Sequence, residues 1–247
     1  MRTLYTLALA LAWAAAGCGG GGTPTRPDPK DPEPSKAHRK VVEDSSQEDN
    51  DGVEVVSARG HMEPDDVNAG IAPHAAALEA CYVDNVRKKK WLGGKVQLTW
   101  QITKAGEVTS VVVADSDLGA WKVEKCLLEV ARQATFARPK GGDADFSLPL
   151  EFTARGASVW WDEDVGVKAV GKRVDDLGKC NTDGAPADEV AITIYVGTRG
   201  KVQSVGFASA GVVPEVWADC VAKTVEAWTL ADPRGKVAKM GLRYRAP

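Results

Sequence analysis

The feature that most constrains this chain is an internal repeat. Shifted by 94 residues, Val96–Glu151 lies over Val190–Arg245 without a gap, and about fourteen positions are identical. Gly106 meets Gly200, Cys126 meets Cys220, Pro139 meets Pro233 and Gly141 meets Gly235. Apolar positions also correspond: Leu98 with Ile192, Trp100 with Ile194, Ile102 with Val196, Leu148 with Leu242. Cysteine, glycine and hydrophobic period agreeing in one frame point to duplication of a supersecondary unit.

Each copy reads as strand, strand, helix, strand. Val96, Leu98, Trp100 and Ile102 alternate with polar neighbours, the period of a half-buried strand. Lys104–Glu107 turns the chain around Gly106, and Val108–Ala114 returns. Val123, Cys126, Leu127, Val130 and Ala134 recur at helical spacing. Phe146, Leu148, Leu150 and Phe152 alternate again, and Pro149 sends that strand to an edge or a bulge, since proline donates no ladder hydrogen bond. In copy one a helix precedes the strands: Pro73 suits its first turn, Ala75, Leu78, Cys81, Tyr82 and Val86 share a face, and Arg87–Lys90 are well placed at its C-terminus. Copy two holds three glycines between Val165 and Gly178, so its helix is expected to be shorter or frayed and to end near Cys180. The expected class is therefore α+β: two tandem modules, each a three-stranded antiparallel sheet with helices on one face.

Four of the five cysteines fall in these modules. Cys81 and Cys126 sit on apolar faces of two helices expected on the same side of one sheet, and Cys180 and Cys220 hold comparable places in copy two. Separations of 45 and 40 residues match neither CxxC redox motifs nor paired zinc knuckles. One disulfide within each module is expected; the alternative is buried free thiols.

The start of the chain places those cysteines in an oxidising space. Arg2 precedes an apolar run from Leu4 to Ala16, which is too short to span a bilayer comfortably and ends in Ala15-Ala16-Gly17-Cys18. Small residues followed by cysteine resemble a lipoprotein signal, with lipid added at Cys18; an ordinary signal peptide would instead leave Cys18 an odd thiol. Gly19–Gly22, prolines at 24, 27, 29, 32 and 34, and the acidic stretch Glu43–Asp51 then form a tether. As a flexible coil it reaches roughly 35–40 Å. The expected boundaries are 1–17 signal, 18–62 tether, 63–154 first module and 155–247 second module.

At this point the sequence resembles the TonB C-terminal-like modules of the AgmX/PglI type, found in myxobacterial gliding-motility and envelope proteins. Leu78-Glu79-Ala80-Cys81-Tyr82, Gly93-Gly94-Lys95-Val96, Gly106-Glu107-Val108, Val123-Glu124-Lys125-Cys126, Phe136 with Pro139, and Leu148-Pro149-Leu150-Glu151-Phe152 carry the resemblance. It covers about residues 63–153 directly and 160–247 through the repeat; Cys180-Asn181 replaces the Cys-Tyr pair there. The resemblance implies a compact two-helix, three-strand module that binds other envelope proteins, partly by accepting a strand at an open sheet edge.

No constellation of residues stands out as catalytic, cofactor-binding or metal-ligating. His74 is near Cys81 on a helix, but a thiol held in a disulfide is no nucleophile. Asp162-Glu163-Asp164 reads as a solvated linker rather than a calcium loop. Gly93-Gly94 and Gly141-Gly142 fit no phosphate-loop pattern. A net charge of −3 offers no basic field for nucleic acid, and no small-molecule substrate is implied. Of eight tryptophans, Trp100 and Trp228 fall on core faces, whereas Trp91, Trp160 and Trp161 sit at element ends. The expected role is a non-enzymatic, lipid-anchored adaptor facing the periplasm from the outer or inner membrane and binding an envelope protein or peptide. The expected contact surface is the two last strands, through Phe146, Leu148, Leu150, Phe152, Met240, Leu242 and Tyr244. The alternative is a peptidoglycan- or carbohydrate-binding module using Trp91, Trp160 and Trp161.

Overall fold

The computed structural model describes residues 59–86 and 88–246. The signal segment, Cys18, the tether as far as Ala58, and Arg87 lie outside the described residues. The fold is α+β and contains two disulfides.

The first sheet is antiparallel, ordered β2-β1-β3: β1 (Gly94–Ile102), β2 (Val108–Ser116) and β3 (Ala144–Phe152). Over it lie α2 (Ala75–Val86) and α3 (Trp121–Ala131). The second sheet is ordered β4-β7-β5-β6, from β4 (Val159–Trp160), β5 (Val190–Val196), β6 (Val202–Ala208) and β7 (Ala238–Tyr244). It carries α4 (Glu163–Val170) and α5 (Glu215–Glu226).

The 94-residue offset governs the registers. Leu98 pairs with Val113 and Ile192 with Phe207; Val96 pairs with Leu150 and Val190 with Tyr244. The register shift between Gln101 and Ile102 recurs between Tyr195 and Val196. The reason is legible in the hairpins. Gly106 and Gly200 both take positive φ, 89° and 70°, and a Cβ there would strike the carbonyls of Phe136 and Leu230 respectively. Only glycine suits that combination of backbone conformation and close approach. The core faces of the strands then fill with Leu98, Trp100 and Ile102 in one sheet, and Ile192, Ile194 and Val196 in the other, all 0–1% exposed.

Four expectations need correction. A further helix, α1 (Pro64–Ile71), precedes α2, and Pro73 sits in the 3-10 turn Ala72–His74 that joins them. Ala75 is exposed rather than buried on the helix face. The helix of copy two is shorter, as expected: α4 has eight residues against twelve in α2, and runs on into a 3-10 stretch, Gly171–Asp183, that includes Cys180. Asp162 caps α4 by accepting the Val165 N–H at 3.0 Å, with Glu163 and Asp164 in the first turn, so that acidic run is a helix start and not a linker. A Cβ at Gly166 would lie 3.2 Å from the flexible end of Met240. Finally, the second sheet has four strands, because β4 adds in parallel at Ala238 and Lys239 of β7.

Cys81 and Cys126 bond α2 to α3, Cα atoms 5.6 Å apart. Cys180 and Cys220 bond the 3-10 stretch to α5, Cα atoms 5.7 Å apart. These are the cysteines that the sequence pairs.

Candidate functional site: two sheet edges and the seam between them

The two sheets meet through β2 and β6, the strands that would otherwise be free edges on that side. Ser209 N–H donates to Val113 O at 2.8 Å across the seam. Nearby, Glu124 of α3 is fully buried: Oε2 accepts the Phe207 N–H at 2.7 Å, and Oε1 accepts the Ser116 hydroxyl at 2.8 Å. A side chain on a helix thus supplies the acceptor that a neighbouring strand would supply in a continuous sheet. Burial pushes the Glu124 carboxyl up from 4.5 to about 7, against the hydrogen bonds from Phe207 and Ser116 that favour its charged form. Gly206 makes this approach possible, since a Cβ there would fall on the Glu124 carboxylate and the Ala120 nitrogen.

Helices α3 and α5 close the seam outside. Trp121 Nε1 donates to Asp219 at 2.6 Å, and Lys125 reaches both Asp219 and Glu215, at 3.1 and 3.4 Å. Trp121 and Glu215, and Lys125 and Asp219, stand 94 residues apart. Each contact therefore exchanges with the other under a two-fold relation, as in an isologous dimer. The Trp121 indole is the main reason the Asp219 carboxyl is held below its ordinary range. Tyr195 donates to Gly93 O at 2.9 Å, and its hydroxyl is pushed up to about 12, first by burial. Buried Lys239 donates to Gly93 O and Asp117, at 3.2 and 3.0 Å. Lys89 crosses to Gln203 O at 2.8 Å, and burial lowers its pKa. The basic run therefore contributes to the seam, beyond its place at a helix end.

With β2 and β6 facing each other, β3 remains as a nine-residue edge strand, with no partner on its outer side among the described residues. Pro149 lies in it, and the pairing with β1 runs its full length without a shift. Phe146, Leu148, Leu150 and Phe152 are half-buried on one face; Asp145, Ser147, Pro149 and Glu151 are exposed on the other. Phe146 stacks on Trp100 at 5.0 Å and Phe152 on Tyr82 at 4.6 Å. Between these anchors, Leu148 and Leu150 line an apolar groove of about 510 Å³, walled across by Leu78, Tyr82 and Val83 of α2. Val83 is 53% exposed.

The corresponding edge in the second sheet is different. Strand β4 covers the start of β7, and α4 lies over it. Met240 is 1% exposed, which withdraws it from the contact surface expected of it; it reaches only the floor of a groove of about 680 Å³. Leu242 lines that groove half-buried. Tyr244 stacks on Trp217 at 5.9 Å and receives the Asn181 amide at 3.0 Å. Trp160, 60% exposed, stands at the rim of this groove, within 5.9 Å of Lys239 Nζ. The other two tryptophans of interest are packed: Trp91 against Tyr195 at 4.6 Å, and Trp161 against the core.

Sequence reasoning missed Glu124. Its signal was a carboxylate in phase with Ala120, Leu127 and Ala131, all on the buried face of α3. Among the described residues there is no group of three or more His, Cys, Asp or Glu able to hold a metal ion, and no helix long and apolar enough to cross a membrane. Compared with family models, curated proteins and solved structures, the chain matches none.

Proposed function

We propose that this chain is a non-enzymatic, lipid-anchored adaptor of the cell envelope, built from two tandem TonB-C-like modules with one disulfide in each, that docks an extended segment of a protein partner. The register repeat at 94 residues supports descent of both modules from one unit. Cys18 is the lipid attachment point in this reading, and the tether carries the modules away from the membrane into the periplasm.

One observation carries the docking role: among the described residues, β3 presents an edge with no strand beyond it, beside an apolar groove. Backbone groups along such an edge supply affinity, and pockets for alternate side chains supply selectivity. Glu124, whose carboxyl burial raises to about 7, is 0% exposed and engaged by Phe207 and Ser116, so its raised pKa belongs to the seam and not to a solvent-facing site.

The test is capture of envelope proteins by the wild-type chain and by Glu151→Pro. Pro149 already sits in β3, and Glu151 has the same orientation along the strand, so this proline removes an outward donor and leaves the β1 ladder intact. Loss of a specific partner in the variant supports the adaptor. Equal capture by both forms, or capture by neither, removes the support.

A second reading, a carbohydrate-binding module, rests on Trp160 beside the larger groove. Sedimentation with purified peptidoglycan tests it; a Trp160→Ala variant that pellets as well as wild type argues against it.

A further inference from the structure

On one side of the seam the two halves leave a cleft of about 250 Å³ between them. Three lysines line it from both halves: Lys89 and Lys122 from the first, Lys223 from the second. Lys89 is half-buried, and its Nζ donates to the backbone carbonyl of Gln203 at 2.8 Å. None of the three forms an ion pair among the described residues. Lys125 also lines the cleft, but Asp219 and Glu215 engage it at 3.1 and 3.4 Å. Two carboxylates share the lining, Asp219 and Glu226. With Asp219 taken by Lys125, Glu226 remains against three amines.

Holding these amines together costs free energy. Burial is the first reason the Lys89 amine is held below its ordinary range, and the charge of Lys122 lowers it further, against Glu226. An anion placed among the amines relieves that repulsion and replaces lost solvation. The duplicated fold does not demand these cations. Moving 94 residues on, Lys122 becomes Val216; moving 94 residues back, Lys223 becomes Glu129. The related side of the seam is therefore built without either lysine. The residue type also selects the anion. Lysine is a point charge with rotatable donors, suited to tetrahedral oxygens approached from several directions, whereas a planar carboxylate is matched by the fork of arginine. Among the described residues, no arginine lines the cleft. A phosphate monoester carries about −1.5 to −2 charge at neutral pH, enough to satisfy more than one amine.

We propose that this cleft binds a phosphate group, gripped by Lys89, Lys122 and Lys223, so that one ligand bridges the two halves of the folded region. The group belongs to a soluble phosphate compound or to a phosphate-bearing lipid headgroup. No residue of this cleft lines the groove beside β3, so the site goes beyond the adaptor reading and stands whether or not that strand docks a partner. Because its lysines come from both halves, occupancy favours the folded, assembled form by mass action.

Calorimetric titration of the full chain tests this with two water-soluble probes, inorganic phosphate and dihexanoyl phosphatidic acid. Wild type is compared with Lys122→Gln plus Lys223→Gln, and with Lys104→Gln plus Lys236→Gln, which removes the same charge outside the cleft. All four lysines are exposed, so neither pair of substitutions disturbs the core. Wild type is expected to bind at one saturable site. Affinity is expected to fall by about tenfold or more in the cleft variant, the scale of one lost hydrogen bond to a charged group, and to stay unchanged in the control. The NMR signals of the Lys89 side chain are expected to move on saturation, and those of Lys104 to stay. Equal affinity for the two probes assigns the site to a soluble phosphate compound, and tighter binding of the phosphatidic acid assigns it to a lipid headgroup. Binding of neither probe, equal losses in the two variants, or a Lys89 signal that stays in place overturns the proposal.

Discussion

Glu124 accepts the backbone N–H of Phe207 at 2.7 Å, joining a helix of the first half of the folded region to an edge strand of the second through a fully buried carboxylate. The two halves therefore share a buried polar contact, where losing one partner costs far more than at the surface.

Glu124→Ala strands the Phe207 N–H and the Ser116 hydroxyl and opens a void, so it is expected to lower unfolding stability by about 2–4 kcal/mol. Glu124→Gln keeps the volume and one acceptor for Phe207 and is expected to cost less than half as much. Urea denaturation of the three proteins gives the comparison.

The same residue makes stability depend on pH. Its folded pKa, about 7, lies above the unfolded value of 4.5, so between these limits the folded state holds more protons than the unfolded one. Stability from this group is full below about pH 4.5, declines as pH rises, and is flat above about 7. The decline is on the order of 3 kcal/mol at most. Wild type minus Glu124→Gln, measured from pH 4 to 8, isolates it from Asp219 and Glu215, whose lowered pKa values act in the opposite direction.

Close approach at the seam predicts an asymmetry between two glycines that flank Thr193 of β5 from opposite sides, Gly206 in β6 and Gly241 in β7. Gly206→Ala drives a methyl group into Glu124 and Ala120 and is expected to destabilise by about 1–3 kcal/mol. At Gly241 the nearest atom to a new Cβ is Trp160 Cη2 at 3.9 Å, an ordinary contact, so Gly241→Ala is expected to be neutral or slightly stabilising. Thermal melts of both distinguish them.

Each disulfide closes a long loop, 45 and 40 residues. The chain-entropy account gives about 4 kcal/mol for each. Cys81→Ala with Cys126→Ala, and Cys180→Ala with Cys220→Ala, should each lower the urea midpoint substantially.

Much of this architecture was legible in the sequence because strand alternation and hairpin glycines fix register locally. Trp100, Ile102, Gly106 and Cys126 specify one half, and their counterparts 94 residues on specify the other. Pro149 marked what is an edge among the described strands. What escaped was non-local. Asp162 looked like part of an acidic linker until the N–H of Val165 gave it a capping role, and glycines 166, 171 and 178 obscured the helical stretch around them. Strand β4 has only two residues, too few for a period. The seam could not be read at all, because nothing along the chain says that Glu124 will meet Phe207, 83 residues away. At the proposed docking surface, Leu148 and Leu150 were legible as an edge pattern, but Met240 was not legible as buried, because α4 and β4 cover it from elsewhere in the chain.

The most direct test of the docking role is a photo-crosslinking side chain placed at Ser147, on the exposed face of β3, and for comparison at Lys223 of α5, in chains produced in native envelopes. Discrete crosslinked products from position 147, absent at 223, that map to an extended segment lying along β3 are what an edge-docking adaptor predicts. Products of equal kind and amount from both positions, or none from 147, would contradict it.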